Sequence, residues 1–389
     1  MFRHLFKLIW NKKKQNFLLT LEIFVSFVVL FTVFTLIVFN YKNYKRPMGF
    51  TYKDVWVVKM DMRSTEDTLN KYFMPVRQLL QTMPEIESFS WSSHNTPFSN
   101  SMSSFSMHYN KKGTNSNIYF AEDSYAKTLG LTMLEGRWFS AADNVAAIKP
   151  VVINRHLKEE FFGNESALGK LIGSDENKQD QKIIGVVEDF KDQGDFQTPQ
   201  NFSFYKIKPD VDWINSLVLK VKPGTGAAFE AKLFKGISNT IKNANVDINN
   251  LDKLRINKNK VYTIPMIIFS IVAGFLIFNV CLGLFGVLWY NINRRKSEIG
   301  LRRAVGASGS KISFQFIAES LVLTSIAIIV GLFFAIQFPI LKVFDVPSEV
   351  YITAMILALI FVYLLVTGCA LYPGRQAANI YPATALHED

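Results

Sequence analysis

The segment from Arg294 to Ser308, RRKSEIGLRRAVGAS, concentrates charge and glycine between two long apolar runs. Glu298 has basic residues three or four positions away on both sides, which is the spacing at which side chains of one helix form ion pairs. We expect the helix of the preceding run to continue through this segment until Gly306 and Gly309 end it. A segment that only marked membrane topology would need the positive charge, but not a glutamate and glycines at these positions. We therefore interpret it as a helix that docks a partner, and its candidate residues are Arg294, Arg295, Glu298, Gly300, Arg302, Arg303 and Gly306.

The histidines and serines form no pattern typical of an enzyme. His94, His108 and His156 are far apart, no HExxH sequence occurs, and no serine lies within GxSxG. Residues 163–171, GNESALGKL, resemble a phosphate-binding loop at first sight. Five residues separate its glycines instead of four, however, and Leu171 replaces the serine or threonine that would hold magnesium. We predict no catalytic residue, no metal site and no cofactor bound directly by this chain.

Composition indicates a membrane protein with a large water-facing part. The chain has 389 residues, a formal net charge of +11 and 49% hydrophobic residues. Its mean hydropathy of +0.15 is high for a soluble protein and low for one that lies wholly in lipid. Much of the positive charge lies beside apolar runs, which is typical of membrane topology and argues against nucleic-acid binding. Cys281 and Cys369 both lie inside apolar runs, so no disulfide framework is predicted.

Four apolar runs are long enough to cross the hydrocarbon core of a membrane, which takes roughly 20 residues. The first is too long for the apolar part of a signal peptide, and no small-residue cleavage site follows it. The predicted transmembrane helices are 17–39, 262–290, 314–338 and 350–372.

Among the short segments that flank the apolar runs, lysine and arginine are concentrated before the first run and between the second and third. Because short basic segments stay on the cytoplasmic side, these two segments and both termini are predicted to be cytoplasmic. Residues 1–16 carry apolar side chains at helical spacing, which predicts an amphipathic helix on the lipids of the inner leaflet; a frayed basic tail is the alternative. The remaining connections are a cytoplasmic loop at 291–313, a short outer loop at 339–349 and a cytoplasmic tail at 373–389.

Two carboxylates, Glu22 and Glu319, lie inside predicted transmembrane helices, about a turn and a half from the cytoplasmic end of each. Carboxylates in such segments are costly and face protein or water. A proton relay is one interpretation. The favoured one is that each side chain pairs or hydrogen-bonds with nearby basic residues at the membrane edge.

Residues 40–261 alternate between strand and helix patterns and have the character of a soluble domain. The segment 181–190, QKIIGVVEDF, predicts a strand, and the helix pattern after Gly224 places Phe229, Leu233 and Ile237 on one buried side. The predicted fold is thus a membrane protein with four transmembrane α-helices and a large α+β extracytoplasmic domain between helices 1 and 2. We expect this domain to have two lobes.

The segment that begins at Arg294 resembles the cytoplasmic hallmark of the FtsX/MacB-type ABC transporter permeases, R-x-x-E-I-G-x-R-R-A-x-G-A. FQFIAESLVL, at 314–323, is similar to the start of the family's third span and includes Glu319. YPGRQAANIYPATALHED, at 372–389, is similar to its C-terminal pattern. LGLTMLEGRWFS, at 129–140, and the segment at 153–172 resemble the extracytoplasmic domain of the MacB branch. The resemblance covers essentially the whole chain.

This resemblance implies a permease subunit that is not itself an enzyme, in the inner membrane of a bacterium. MacB carries a fused ATPase before its first span, whereas this chain starts only a few residues before its own. We therefore expect ATP–Mg²⁺ to bind a separate ABC ATPase, which docks on the seven residues of the charged segment. The permease is expected to form a homodimer, or a heterodimer with a related permease. A periplasmic adaptor and an outer-membrane channel are further partners that the family allows.

Three functions remain open on the sequence alone. Export of a drug, peptide or similar periplasmic substrate is favoured by the size of the extracytoplasmic domain. Lipoprotein release would use a related mechanism on a different cargo. An FtsX-like signal relay that activates a cell-wall hydrolase ranks lower, because such relays have smaller extracytoplasmic domains.

Overall fold

Helices form both ends of the described part of the chain, and strands form most of its middle. The computed structural model describes residues 13–62, 69–173, 180–207, 214–242 and 244–380. The described helices are α1 (Lys13–Lys45), α2 (Leu69–Gln81), α3 (Tyr125–Leu129), α4 (Arg155–Phe162), α5 (Ala227–Thr240), α6 (Leu251–Arg294), α7 (Lys296–Ala304), α8 (Gly309–Ala335), α9 (Gln337–Ile340) and α10 (Ser348–Ala378). The described strands are β1 (Val55–Met62), β2 (Ile86–Ser93), β3 (Ser104–Tyr109), β4 (Lys112–Ala121), β5 (Met133–Gly136), β6 (Lys149–Asn154), β7 (Leu171–Ile172), β8 (Gln181–Val187), β9 (Phe202–Lys206), β10 (Ile214–Val221) and β11 (Ala244–Asn250).

The chain divides into two units. The membrane unit comprises the described residues up to Lys42 and those from Thr263 onward, and the sheet unit is Asn43–Tyr262. The amphipathic helix predicted at 1–16 lies outside the described residues except for its last four, which belong to α1. The end of the predicted tail, 381–389, also lies outside them.

Within the described residues, α1, α6, α8 and α10 are long and apolar enough to cross a membrane. The four-helix membrane fold with an inserted sheet domain is therefore confirmed. The helix α6 begins at Leu251, well before the apolar run predicted from 262. Residues 251–261, LDKLRINKNKV, are largely polar and still helical, because hydropathy marks the part of a helix that suits lipid and not the whole helix.

Small side chains pack the centre of the membrane unit. Ala327 on α8 and Ala354 and Ala358 on α10 are fully buried, in one apolar cluster with Phe27 of α1. Small residues allow close helix contact in lipid, where packing and not the hydrophobic effect drives helix association.

The described strands of the sheet unit form one mixed sheet. Its order is β11-β1-β10-β2-β4-β9-β6-β8-β5, with β3 paired to β4 and β7 paired to β8. The pairs β4–β9 and β6–β8 are parallel and the others are antiparallel. Between β2 and β4 the sheet narrows to a single paired position, Ser92 with Ala121.

Separate apolar cores cover the two ends of this sheet. At one end, α2 and α5 bury Val76, Leu80 and Leu233 against β1, β2 and β10. At the other, α4 buries Leu157 and Phe161 against β6 and β8. These amphipathic helices each cover one sheet face, as layered α+β folds require. The division into two lobes stays a prediction.

The strand that follows α1 and the strand that precedes α6 are direct neighbours. β1 and β11 pair antiparallel from Trp56–Asn250 to Met62–Ala244. The chain therefore enters and leaves the sheet unit through two adjacent, hydrogen-bonded strands.

Candidate coupling site

The helix of the second transmembrane segment breaks at Arg295. α6 ends at Arg294 and α7 begins at Lys296, while the Arg295 backbone has φ −107° and ψ 16°. The continuous helix expected from the sequence is therefore wrong at this residue. The break directs the Arg295 guanidinium to α8, where it donates to the Glu319 carboxylate at 3.1 and 3.3 Å.

Five polar side chains close a ring between α7 and α8. Arg302 binds Glu298 at 2.5 Å within α7 and donates to the Gln315 side-chain oxygen at 2.8 Å on α8. Gln315 donates to Glu319 at 3.1 Å. The ring is closed by the contact between Arg295 and Glu298, in which Nε lies 3.8 Å from Oε2. This ring ties α7 to α8 by charge-assisted contacts, which are stronger than neutral hydrogen bonds.

An apolar cluster lies under α7. Ile299 is 4% exposed and Gly300, next to it, is also buried. The cluster joins the ends of α6, α7, α8 and α10 through Ile292, Ile299, Ile312, Phe316 and Ala377. α7 is therefore held on one side by both polar and apolar contacts.

The opposite side of α7 is open. Leu301 is 57% exposed and Val305 is 83% exposed, although both are apolar. Arg294 is exposed at the end of α6, and Arg303 is half-buried, with a 3.5 Å contact to the Ala307 carbonyl. A short helix with a fixed underside and an exposed outer face suits the docking of another protein.

Gly306 forms the turn between α7 and α8. Its φ of +98° lies in the region that side chains with a Cβ rarely adopt. The amide of Ala307 donates to the Arg302 carbonyl at 2.9 Å across this turn. The glycine thus ends α7 and lets the chain reverse into α8.

The two intramembrane carboxylates occupy different environments. Glu319 is part of the polar ring, whereas Glu22 on α1 is half-buried against Gly283 of α6. A Cβ at position 283 would lie 2.6 Å from Glu22 Oε2, so glycine is what admits the carboxylate there. Within the described residues, Glu22 forms no ion pair. The two carboxylates thus have different neighbours, and the proton-relay interpretation stays a prediction.

Sequence reasoning missed Gln315. The available signal was its position four residues before Glu319, which places both side chains on the same face of α8. Glu298 pairs with Arg302 and Arg295, two of the three partners that the spacing allowed.

The described part of the chain holds no group of three metal-ligating side chains. The histidines of the sheet unit have separate local contacts, His94 with Ser103 at 3.0 Å and His108 with Ser106 at 2.9 Å.

Comparisons with known proteins match both units. The profile of the MacB-like periplasmic core domain matches residues 17–233, and that of the FtsX-like permease C-terminal region matches 266–382. The chain is 25% identical over 285 residues to the uncharacterized ABC transporter permease YvrN of Bacillus subtilis, which covers 69% of each chain. It is also 25% identical over 294 residues to the macrolide export ATP-binding/permease protein MacB of Bdellovibrio bacteriovorus. That match covers 72% of this chain and 45% of MacB, so the chain spans less than half the length of that relative.

A solved structure of the periplasmic region of MacB from Actinobacillus actinomycetemcomitans is also similar. It has a TM-score of 0.40 and 17% identity, over 56% of this chain and 97% of that one.

Proposed function

Because this chain belongs to the MacB/FtsX-type permeases of ABC transporters, we propose that it couples ATP hydrolysis by a separate ABC ATPase to movements of its sheet unit. ATP–Mg²⁺ binds the partner and not this chain. ATP binding closes the two nucleotide-binding subunits, which push on α7. The long helix α6 then carries the movement towards the sheet unit.

The attachment of α7 is the observation that carries this proposal. A force on its exposed face reaches α8 through the Arg302–Gln315 contact and reaches α6 through the apolar cluster that contains both Ile299 and Ile292. The docking set is Arg294, Arg295, Glu298, Gly300, Arg302, Arg303 and Gly306.

The proposal includes a membrane topology for the chain. α7 and both termini lie in the cytoplasm of a bacterium, and the sheet unit lies outside the inner membrane. The support is the concentration of lysine and arginine around α7 and before α1, where the cytoplasmic side retains positive charge.

We further propose a dimer of this permease, with itself or with a related permease, in which α6 faces the partner. The most apolar stretch of α6 is 17% buried, against 33% for those of α1, α8 and α10. A helix with so little of its surface packed within its own chain has the largest area to offer to a second copy.

Export of a drug, peptide or similar substrate from the periplasm is the proposed outcome of this movement. A sheet unit as large as Asn43–Tyr262 supports export over a small signal relay. Lipoprotein release and activation of a cell-wall hydrolase are the alternatives. An adaptor and an outer-membrane channel that co-purify with the chain would favour export, whereas a bound hydrolase would favour the relay.

Charge reversal at Glu298 tests the docking of the ATPase. Glu298→Lys breaks the ring at α7, so we expect permease-stimulated ATP hydrolysis to fall at least about fivefold, which corresponds to about 1 kcal/mol of docking free energy. Membrane insertion is expected to be unchanged. Glu349→Lys is the matched control, because Glu349 also lies in an ion pair, 2.7 Å from Lys42, but belongs to a different connection.

The assay uses the chain and its co-purified ATPase in lipid vesicles. Equal stimulation by the Glu298→Lys and wild-type permeases, or the absence of any ABC ATPase from the purified complex, would contradict the proposal.

A further inference from the structure

A loop of the sheet unit contacts the ends of both helices that lead to the membrane unit. This clamp loop, residues 188–197, connects β8 to the segment before β9 and contains no regular secondary structure. The helix ends are Asn43–Lys45 of α1 and Leu251–Tyr262 of α6, and all three segments belong to the sheet unit.

Lys191 of the clamp loop binds the end of α1. Its ammonium donates to the backbone carbonyls of Asn43 at 2.5 Å and Arg46 at 2.7 Å, and to that of Asp195 at 2.8 Å. Lys191 is 6% exposed. The Asn43 carbonyl also accepts from the Arg46 amide at 3.2 Å, so the ammonium adds a charged donor to the last turn of α1 and complements the negative end of the helix dipole.

Asp195 of the same loop binds α6. Its two carboxylate oxygens accept from Nε and Nη2 of Arg255, both at 2.8 Å, in a bidentate pair. Asn259, one turn further along α6, donates to the Asp195 carboxylate at 2.7 Å and accepts from the Asp195 amide at 2.8 Å. Asp195 is 6% exposed, so this pair is largely withdrawn from solvent.

Phe196 lies between the two helix ends. Its ring centroid is 5.8 Å from that of Tyr44 on α1 and 5.9 Å from that of Tyr262 on α6. These are the separations of interacting aromatic rings. Within one loop, Lys191 thus contacts the end of α1, Asp195 contacts α6, and Phe196 contacts both.

Gly194 shows that the contact with α6 is built into the loop backbone. Its φ is +110°, and a Cβ there would lie 2.5 Å from the Asn259 side-chain oxygen. Only glycine fits both the backbone angle and the close approach.

We propose that the clamp loop is the mechanical joint of this permease: Lys191 and Asp195 fasten α1 and α6 to the sheet unit, so that movement of the helices moves the sheet. This inference rests on the proposed ATP-driven movement and names the loop through which that movement passes from the helices to the sheet. Lys191 and Asp195 are positioning residues that hold helices.

A first experiment tests the joint without an ATPase. Asp195→Asn in the full-length chain, in lipid nanodiscs, removes the charge of the Arg255 pair and keeps the side-chain shape. We expect amide hydrogen exchange to accelerate at least about tenfold both in 188–197 and in 251–262. The matched control is Asp143→Asn, which breaks another bidentate pair of the sheet unit, with Arg137 at 2.6 and 2.7 Å, away from the helix ends. Unchanged exchange in 251–262 of the Asp195→Asn variant would contradict the proposal that the clamp loop fastens α6 to the sheet unit.

A second experiment uses the co-purified ATPase and compares exchange in β1 and β11 with ATP and without nucleotide. We expect Asp195→Asn to keep ATP stimulation within about twofold of wild type while it abolishes the ATP-dependent change in the strands. If the Asp195–Arg255 pair only stabilised the fold, its loss would not abolish the strand response while leaving ATP stimulation intact. A normal strand response in Asp195→Asn would overturn the inference. A wild-type chain that shows neither stimulation nor strand response would instead contradict the proposed function, while the first experiment would still decide the joint.

Discussion

At the scale of single residues, the degree of burial decides how much each ion pair around α7 contributes to stability. The Arg302 and Glu298 side chains are 44% and 48% exposed, so their pair is worth less than about 1 kcal/mol despite its 2.5 Å distance. Arg295 and Glu319 are 14% and 19% exposed, so loss of either would leave the other poorly hydrated, at a cost of about 1–3 kcal/mol. We conclude that the Arg295–Glu319 pair contributes most of the polar attachment of α7 to α8, whereas the more exposed Glu298–Arg302 pair contributes less.

Lys191 gives a residue-scale prediction on pH. The pKa of its ammonium is lowered to about 8, chiefly by burial; the Asp195 carboxylate raises the pKa, and the nearby charges of Arg46 and Arg255 lower it. Between about pH 8 and the ordinary lysine value of 10.5, the unfolded chain holds a proton that the folded chain has released. The free energy of unfolding therefore rises with pH in this window, by at most about 1.4 kcal/mol per pH unit.

The measurement is urea unfolding of the full chain in detergent, followed by tryptophan fluorescence at pH 7.5 and 9.5. We expect wild type to gain stability relative to Lys191→Met as pH rises. Lys158→Met, which removes another poorly exposed lysine of the sheet unit, is the control. Parallel pH profiles for wild type and Lys191→Met would show that Lys191 is not the group responsible.

Residue patterns predicted contacts within one helix and missed those between segments. The Glu298–Arg302 pair follows from a spacing of four residues and was predictable. Lys191 and Asp195 contact residues of α1 and α6 that are 60 or more positions away in the sequence, apart from the contact within the loop itself. No local spacing signals such contacts, because they depend on how strands are ordered in the sheet.

At the scale of elements, the turn after α7 decides how firmly that helix is held. Gly306 has the positive φ that ends α7, and Gly286, inside α6, does not. A Cβ at either position meets no atom within 4 Å, so the two differ in backbone conformation and not in space.

Gly306→Ala is therefore expected to strain the turn by about 1–2 kcal/mol. Hydrogen exchange in residues 301–309 should accelerate at least about fivefold, and ATP stimulation should fall. Gly286→Ala should leave both readouts unchanged, since alanine is favoured over glycine inside helices. Identical exchange in the two variants would refute the role given to the turn.

The elements themselves were predicted unevenly. Apolar runs predicted four membrane helices because lipid imposes a minimum apolar length. The family resemblance implies that the first two spans extend into a stalk, but neither the composition nor the periodicity of 251–261 marks the polar start of α6 as helical. The strand at 181–187 was predictable from its own residues, but its parallel pairing with β6 was not. Pairing order is a property of the assembled sheet.

At the scale of the whole molecule, the proposed dimer places a second permease beside α6. Single cysteines at Ile264, Ile268 and Ile271, which are 51%, 53% and 67% exposed, should form cross-links between copies in membranes when Cys281 and Cys369 are replaced by serine. Ile329→Cys on α8, equally exposed at 67%, should remain uncross-linked. Cross-linking from α8 alone would place the partner elsewhere. If tagged copies do not co-purify with each other, a heterodimer with a related permease replaces the homodimer.

The proposed mechanism requires that an ABC ATPase binds α7 and moves it. The most direct measurement replaces Val305, 83% exposed, with a photo-cross-linking amino acid in native membranes; Val145, 87% exposed in the sheet unit, is the matched site. The account predicts that illumination links Val305, and not Val145, to an ABC ATPase, with a yield that changes on addition of ATP. Failure to recover an ATPase from Val305, or its recovery from Val145 instead, would contradict the account.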